Sequence, residues 1–466
     1  MKCRPLRIDN DVAQAVVDYL SSAVEGQTDP VARERAKLHV LDCLVAILSG
    51  SRLPAGLAVR RYVGRRRAPG PSTVVGSNET TIPEFAALAN GIAAHADETD
   101  DTGGRTRMHP GASVIPTALA LAESRDRAGA DLLAAVVAGY HFGMAMNLAL
   151  WGRDQNRQHA AQNPCSVGQV FGGTAAGAVL ARLEPVQQLY AISYASQQAS
   201  GSSSLYRDSD HMEKAFAMGG MPARDAVTAV EFASEGFTGV LDVLDGHPGI
   251  FDAIGDGEGG PERLVELLGS APLLLSNAEI KLFPVGMPIQ AAAHGLQELY
   301  REEGLRAEGL ARLRCRIPAT KAHLVDGRDM PAIDLRYILS VILQDGDVTF
   351  AAAHDERRHR SAEVRAVMAL IDVVHDEGLD PKEESESNRR AVLEAELHDG
   401  RTLTRRIDAL AGTPLAPVSW ERLTQKASSV LEGILRDAQL EGLVGAVRAL
   451  DDIDDMRDVT TYLRAT

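Results

Sequence analysis

The chain has 466 residues, of which 45% are hydrophobic, 24% charged and only 4% aromatic. This length suits roughly two to three domains, with cores of Ala, Leu, Val and Ile that favour closely packed helices over β sandwiches. A formal net charge of −16 argues against nucleic acid or an anionic membrane as the main partner and leaves a small anionic substrate in a cleft open.

The N-terminal stretch "MKCRPLRIDNDVAQ" lacks the apolar run of a secretory signal. Cys3, Cys43, Cys165 and Cys315 form no C-x-x-C pair and are spaced too widely for a zinc knuckle, so a reduced, cytoplasmic protein is expected. Residues 30–49, "PVARERAKLHVLDCLVAILS", read as a helix. Asp29 caps it, Pro30 sits in the first turn, and Gly50 ends it. Similar Ala- and Gly-rich helical periodicity recurs in "TIPEFAALANGIAAHA", "GASVIPTALALAESR", "VGQVFGGTAAGAVLARL" and "PVQQLYAISYASQQAS", where small side chains let helix axes approach closely. "LLAAVVAGYHFGMAMNLALW", residues 132–151, has the length of a bilayer span, but His141, Asn147, Gly139 and Gly143 within it favour a buried central helix.

Past residue 265 the texture changes. "GDGEGG" (255–260) formally matches G-x-G-x-x-G, yet it follows no clear strand and its acids would repel a pyrophosphate, so it reads as a linker turn. "LRAEGLARLRCRIPAT", "DVTFAAAHD" and "RAVLEAELHDGRTLTRRI" read as strands, the last as a hairpin about Asp399-Gly400. Helices are expected near 285–302 and 331–345. "HDERRH" (354–359) reads as a solvated turn more readily than as metal ligands, and "DEGLDPKEESESN" as a charged surface loop. The C-terminal stretches "SWERLTQKASSVLEGI" and "LVGAVRALDDI" return to helix.

One stretch stands out. "HADETDDTGGRTRMHPGASV", residues 95–114, crowds Asp97, Glu98, Asp100 and Asp101 around Thr99 and Thr102, between two apolar helical segments. Downstream lie His109, before Pro110-Gly111, and two lysines in apolar settings: Lys214 in "SDHMEKAFAMGGMPARDA" and Lys281 in "NAEIKLFPVGMP". Taken singly, the histidine reads as a capping or packing residue and each lysine as a surface residue with a buried stem. Gly219-Gly220 permit close backbone approach. Together they suit proton transfer at the α-carbon of a polycarboxylate, with lysines pairing to carboxylates and histidine acting as base or acid. Arg105 and Arg107, at i and i+2 in an extended loop, could grip a carboxylate or simply face solvent.

The stretches "RERAKLHVLDCLVAILSGS", "ANGIAAHADETDDT", "HPGASVIPTALALAE", "GTAAGAVLARL", "HMEKAFAMGGMPARDAV", "GFTGV", "EIKLFPVGMPIQAAAH", "DLRYILSVILQDGDVTF" and "HDGRTLTRRIDALAGTPLAPVSWERLTQK", in that order, resemble the MmgE/PrpD family of 2-methylcitrate dehydratases and cis-aconitate decarboxylases. The resemblance covers nearly the whole chain. It implies a mainly α fold: a large all-helical domain built from both chain ends (1–277 and 412–466) plus a smaller inserted α+β lid domain (278–411). It further implies a homodimer, no metal or organic cofactor, and a small polycarboxylate substrate. By the same resemblance Lys214 and Lys281 hold carboxylates and His109 moves the proton. Glu98, Asp101 and Thr102 orient the proton or the leaving group, Tyr337 matches the lid tyrosine, and the charged stretch lines a cleft. Asn163, Arg105 and Ser166 are expected to bind substrate. Three positions depart from the family pattern: Glu98 where aspartate is usual, and Asn163 and Ala217 where histidine is common. His159, four residues before Asn163, is a conceivable replacement. The expected activity is a cofactor-independent lyase, a dehydratase or decarboxylase. The alternatives are an epimerase of a dicarboxylate such as iminosuccinate, which needs no leaving-group acid, or a member repurposed for a specialised biosynthetic pathway.

Overall fold

A computed structural model describes residues 10–104, 106–152, 162–255, 259–382 and 389–464. It is mainly α-helical, with two small sheets among the described residues. The chain divides into two units, one comprising Met1–Ala96, Asp100–Glu279 and Gly433–Thr466, the other Asp97–Thr99 and Ile280–Glu432.

In the first unit, helix Pro30–Gly50 starts as expected: the Asp29 side chain accepts from the Val31 N–H and proline occupies the first turn. Gly50, however, does not end the helix through a left-handed turn. It is the last helical residue, and a Cβ there would lie 1.9 Å from the Ala93 carbonyl oxygen, so its bareness serves close approach to helix Pro83–Ala94. The same device joins helix Gly129–Trp151 to helix Pro164–Ala181. A Cβ on Gly139 would meet the Gly172 carbonyl oxygen at 2.6 Å, and one on Gly143 the Gly168 carbonyl oxygen at 2.7 Å. Helix Gly129–Trp151 is long and apolar enough to cross a membrane, but 94% of its most apolar window is buried against protein. A two-stranded sheet also lies in this unit, an antiparallel pair of β1 (Ser72–Thr73) and β2 (Thr80–Thr81).

The second unit carries a four-stranded sheet of β3 (Leu310–Pro318), β4 (Ile371–Asp376), β5 (Ala391–Leu397) and β6 (Thr402–Ile407), in the order β4-β3-β5-β6. β3 and β4 run parallel; the other neighbours are antiparallel. The β5–β6 hairpin turns where Asp399-Gly400 predicts it, with Gly400 at φ +87°. Leu313, Cys315 and Ile317 of β3 and Leu393 and Ala395 of β5 share a core with Ile338, Leu339 and Ile342 of helix Leu335–Asp345. One expectation fails here, and one strand goes unread. "DVTFAAAHD" is not a strand: the Thr349 hydroxyl caps the Ala352 N–H and starts a short helix, Phe350–Ala353, a local hydrogen bond and an alanine run that outweigh the β-branched start. β4 was not foreseen, because its apolar run is only Ile371, Val373 and Val374 among Asp372 and His375, too short to carry a period. Helix Trp420–Val430 belongs to this unit, where Leu423 and Ala427 are buried.

Replacing Gly139 with alanine places a methyl group against the backbone of helix Pro164–Ala181. We expect a loss of about 1–3 kcal/mol, measured by chemical denaturation, whereas alanine at Gly445, exposed in helix Asp437–Arg448 with nothing within 4 Å of its Cβ, is expected to raise stability by about 0.5–1 kcal/mol through helix propensity.

Candidate active site

The acidic stretch is not a solvated loop. Asp97, Glu98, Asp100 and Asp101 are all buried, and a carboxylate out of water requires a compensating partner. Each has its own. Asp101 accepts from the Tyr140 hydroxyl (2.7 Å) and the Gly111 N–H (3.0 Å) and sits 2.7 Å from His39 Nδ1. Asp100 Oδ2 lies 2.8 Å from His95 Nδ1 and 3.1 Å from His109 Nδ1. In the second unit Asp97 Oδ2 lies 3.2 Å from His354 Nε2, and Glu98 Oε2 accepts from Lys281 Nζ at 3.2 Å.

In the first unit the residues around Asp100 form one connected cluster. His95 follows the last residue of helix Pro83–Ala94. That helix is pressed against the π-helical turn Phe216–Gly220: a Cβ on Gly219 would sit 2.1 Å from the Gly91 carbonyl oxygen, so Gly219-Gly220 do provide the close approach read from the sequence. His109 precedes helix Gly111–Ser124, and its carbonyl accepts from Gln169 Nε2 at 2.8 Å; the same amide also donates to the Met218 carbonyl. The His95 and His109 rings lie 4.4 Å apart by centroid, and the His95 and His211 rings 5.2 Å apart. Lys214 Nζ lies 3.0 Å from His211 Nε2, so the ammonium donates to a neutral imidazole.

Burial drives the His95 pKa down to about 3 despite the opposing pull of Asp100, so the ring is neutral near pH 7. Its Nδ1–H donates to Asp100, and its Nε2 is buried without a hydrogen-bond partner. The His109 contact to the same oxygen has ion-pair distance without hydrogen-bond alignment, and its side chain keeps 12% of its surface exposed. With Asp100 facing Nδ1, Nε2 is the ring nitrogen left free of that carboxylate. The ligand atoms of His95, Asp100 and His109 lie within 4.8 Å of one another, close enough to share a metal ion, but here both ring nitrogens face the carboxylate itself.

Lys281 is 0% exposed. Its segment is fixed by one buried amide: Gln290 Oε1 accepts from the N–H groups of Leu282 (3.0 Å) and Phe283 (3.1 Å), and Gln290 Nε2 donates to the carbonyls of Phe283 (2.8 Å) and Val285 (2.9 Å). Lys426 Nζ donates to the Thr99 carbonyl at 2.9 Å.

Other expected site residues are spent on structure. The Thr102 hydroxyl donates to the Met108 carbonyl at 3.1 Å and its backbone pairs with Glu279, bracing the loop. Asp101 holds the start of helix Gly111–Ser124 and His39; the acid facing His109 is its neighbour Asp100. The Ser166 hydroxyl donates to the Ala217 carbonyl at 2.5 Å. Asn163 caps helix Pro164–Ala181 through Oδ1, while its Nδ2 is buried with no hydrogen-bond partner. Tyr337 is a core residue of the second unit: its hydroxyl donates to the Ala352 carbonyl at 2.6 Å, and burial pushes its pKa up to about 12. "HDERRH" is no solvated turn, since His354 faces Asp97 and buried His359 lies 2.9 Å from Asp334. Arg105, His159 and part of "GDGEGG" and of the 376–388 loop lie outside the described residues; Arg107 is described, with φ +54°. The reading missed His95, Asp100 as the partner of His109, and His211. The i, i+3 spacing of His211 and Lys214 on one helical turn was the available signal.

Residues 14–261 match the model of the MmgE/PrpD N-terminal domain family, and residues 283–452 that of the MmgE/PrpD C-terminal domain family. Cis-aconitate decarboxylase of Homo sapiens is 25% identical over 474 residues, covering 97% of this chain and 95% of that protein. The Mus musculus enzyme of the same name is 26% identical over 459 residues, covering 94% and 90%. That of Aspergillus terreus (strain NIH 2624 / FGSC A1156) is 24% identical over 464 residues, covering 92% and 91%.

The Asp97–His354 pair has a defined pH window. Burial alone would raise Asp97, but His354 and Thr99 bring it below its usual value; burial alone would lower His354, but Asp97 raises it. The carboxylate's contribution is present above pH ~4 and lost as pH falls through its lowered pKa; the imidazole's is full below pH ~6.5 and lost as pH rises through its raised pKa. His354→Gln is therefore expected to lower stability by about 3 kcal/mol near pH 6, and by less at pH 9. Denaturation at both pH values measures it, and an equal loss at both contradicts the ion pair.

Proposed function

The chain belongs to the MmgE/PrpD family, and from that premise we propose that it is a lyase that releases CO2 or water from a small di- or tricarboxylic acid by proton transfer at the carbon α to a carboxylate. In a dehydration the α-proton leaves the carbon as hydroxide departs from its neighbour. In a decarboxylation the electron pair left by CO2 is quenched by a proton delivered to carbon. Either course needs one group poised to move a proton and cations to hold carboxylates.

His109 is our assignment for the proton, through Nε2, with Asp100 holding the Nδ1 proton in place. Lys214 is assigned to a substrate carboxylate and to the enolate-like charge that develops on it. His211, accepting from the ammonium, aims it. The uncommitted Nδ2 of Asn163 is assigned as a neutral donor to substrate. Lys281, neutralised by Glu98, is assigned to carboxylate binding. The observation that carries this reading is the shared Asp100 oxygen facing both His95 and His109, in a chain similar along nearly its whole length to proteins named cis-aconitate decarboxylase. A cytoplasmic homodimer without cofactor is part of the same proposal; Cys43, Cys165 and Cys315 are buried thiols outside any disulfide among the described residues.

Asn163 and Ala217 favour a second reading. Neither side chain can donate a proton to a leaving group, and an epimerase needs none.

Incubation with cis-aconitate and citrate-type acids in D2O, followed by NMR, tests both. A lyase gives a product lighter by CO2 or water, with deuterium where carbon is protonated; an epimerase gives deuterium incorporation at the α-carbon without mass loss. We expect His109→Ala to lower turnover by about 10²–10⁴-fold and Lys214→Ala to raise KM. Undiminished turnover in a folded His109→Ala variant contradicts the assignment.

A further inference from the structure

Helix Pro54–Arg66 and the residue after it carry the sequence "RRYVGRRR", five arginines in eight residues. The helix buries Val59 and Val63 and turns its other faces outward. None of Arg60, Arg61, Arg65, Arg66 or Arg67 forms an ion pair among the described residues, although the chain carries a net charge of −16. Arg60 donates weakly to the Gly76 carbonyl at 3.3 Å, and the Arg66 guanidinium stacks 4.4 Å from the centre of the Tyr62 ring. Basic residues in a last helical turn complement the helix dipole, which accounts for Arg65 and Arg66. It does not account for Arg60 and Arg61, a turn earlier.

Two hollows flank this helix and share Arg61 and Arg65 on their walls. One, of about 360 Å³, lies between Arg60, Arg61, Arg65 and Arg67, with Gly64 and Glu79 completing it. Gly64 has no side chain to fill the notch; a Cβ there would touch only the Glu79 carboxylate, at 3.6 Å. The other, of about 460 Å³, is lined by Ala58, Arg61, Tyr62, Arg65 and Arg66, with Tyr62 exposed and held edge-on to Phe85 at 6.5 Å. Volumes of this size suit a small molecule, whereas a stable protein partner needs a much larger area.

We propose that this helix is a binding site for a small polyphosphate anion, its phosphoryl oxygens gripped by the guanidinium forks of Arg60, Arg61, Arg65 and Arg67 around Gly64. Planar, permanently charged donors match tetrahedral phosphoryl oxygens two at a time. The four arginines that line this hollow carry more positive charge than a single phosphate or a dicarboxylate would balance, even with the Glu79 carboxylate among them. The phosphoryl chain can come free or attached to a nucleoside, whose base would then lie in the adjoining hollow against Tyr62. The site is independent of the His109 cluster, so its failure would leave the proposed reaction untouched.

Calorimetric titration of the full chain with sodium tripolyphosphate, ATP, orthophosphate and citrate tests the proposal. Tripolyphosphate is expected to bind with a strongly salt-dependent affinity, and orthophosphate and citrate at least roughly tenfold more weakly. ATP tighter than tripolyphosphate, with the gain lost in Tyr62→Ala, assigns a nucleotide; equal affinities assign the free chain. The exposed double variant Arg61→Gln/Arg65→Gln is expected to keep its melting temperature and to weaken binding more than tenfold. Citrate as tight as tripolyphosphate, binding unchanged in the double variant, or no heat up to about 5 mM ligand would overturn it. So would a dimer that dissociates in the double variant without any anion binding, which would give the patch to a second copy.

Discussion

Four carboxylates within residues 97–101 are kept out of water, and the surrounding architecture answers that constraint. A buried carboxylate without a partner either costs several kcal/mol or gives up its charge. Here Asp97, Glu98, Asp100 and Asp101 each meet a separate basic group, in turn His354, Lys281, the His95–His109 pair and His39. The partners come from positions as distant in sequence as 39 and 354. The stretch is thus a set of anchors, each holding a nitrogen base in a fixed orientation, and one of them faces two imidazoles at once.

That one is Asp100, and the distinction from Asp101 is chemical. Asp101 is saturated by the Tyr140 hydroxyl, the Gly111 N–H and His39. Burial and that carboxylate hold the Tyr140 phenol protonated far above its usual range. Asp101 therefore fixes where helix Gly111–Ser124 begins, and with it the position of His109 two residues upstream. Asp100 instead divides one oxygen between two imidazoles, of which His95 is kept neutral by burial. A neutral His95 donates to the Asp100 oxygen without adding a second charge to the pair.

Much of the fold was legible because its signals are local. The Asp29-Pro30 helix start, the Asp399-Gly400 hairpin and the glycine-rich helices follow from capping, turn geometry and size. "DVTFAAAHD" misled because a single hydroxyl cap decides it, and β4 escaped because its pairing with β3 is not written in its own residues. The candidate site was legible in residue type but less so in partnership. His109, Lys214 and Lys281 stood out by setting, yet which of two adjacent aspartates faces His109 depends on the approach of helix Pro83–Ala94 to the turn at Gly219, a tertiary fact. Tyr337, Thr102 and Ser166 carry hydroxyl groups that look reactive in sequence, and each is spent on a backbone carbonyl.

The most direct test is the protonation of two neighbouring imidazoles. Selective ¹⁵N labelling of histidine in a deuterated background, assigned with His95→Gln and His109→Gln, reports tautomer and charge for each ring by NMR. His95 is predicted to stay neutral, with its proton on Nδ1, at every pH down to about 4. A His95 ring that becomes cationic near pH 6, or carries its proton on Nε2, would contradict it.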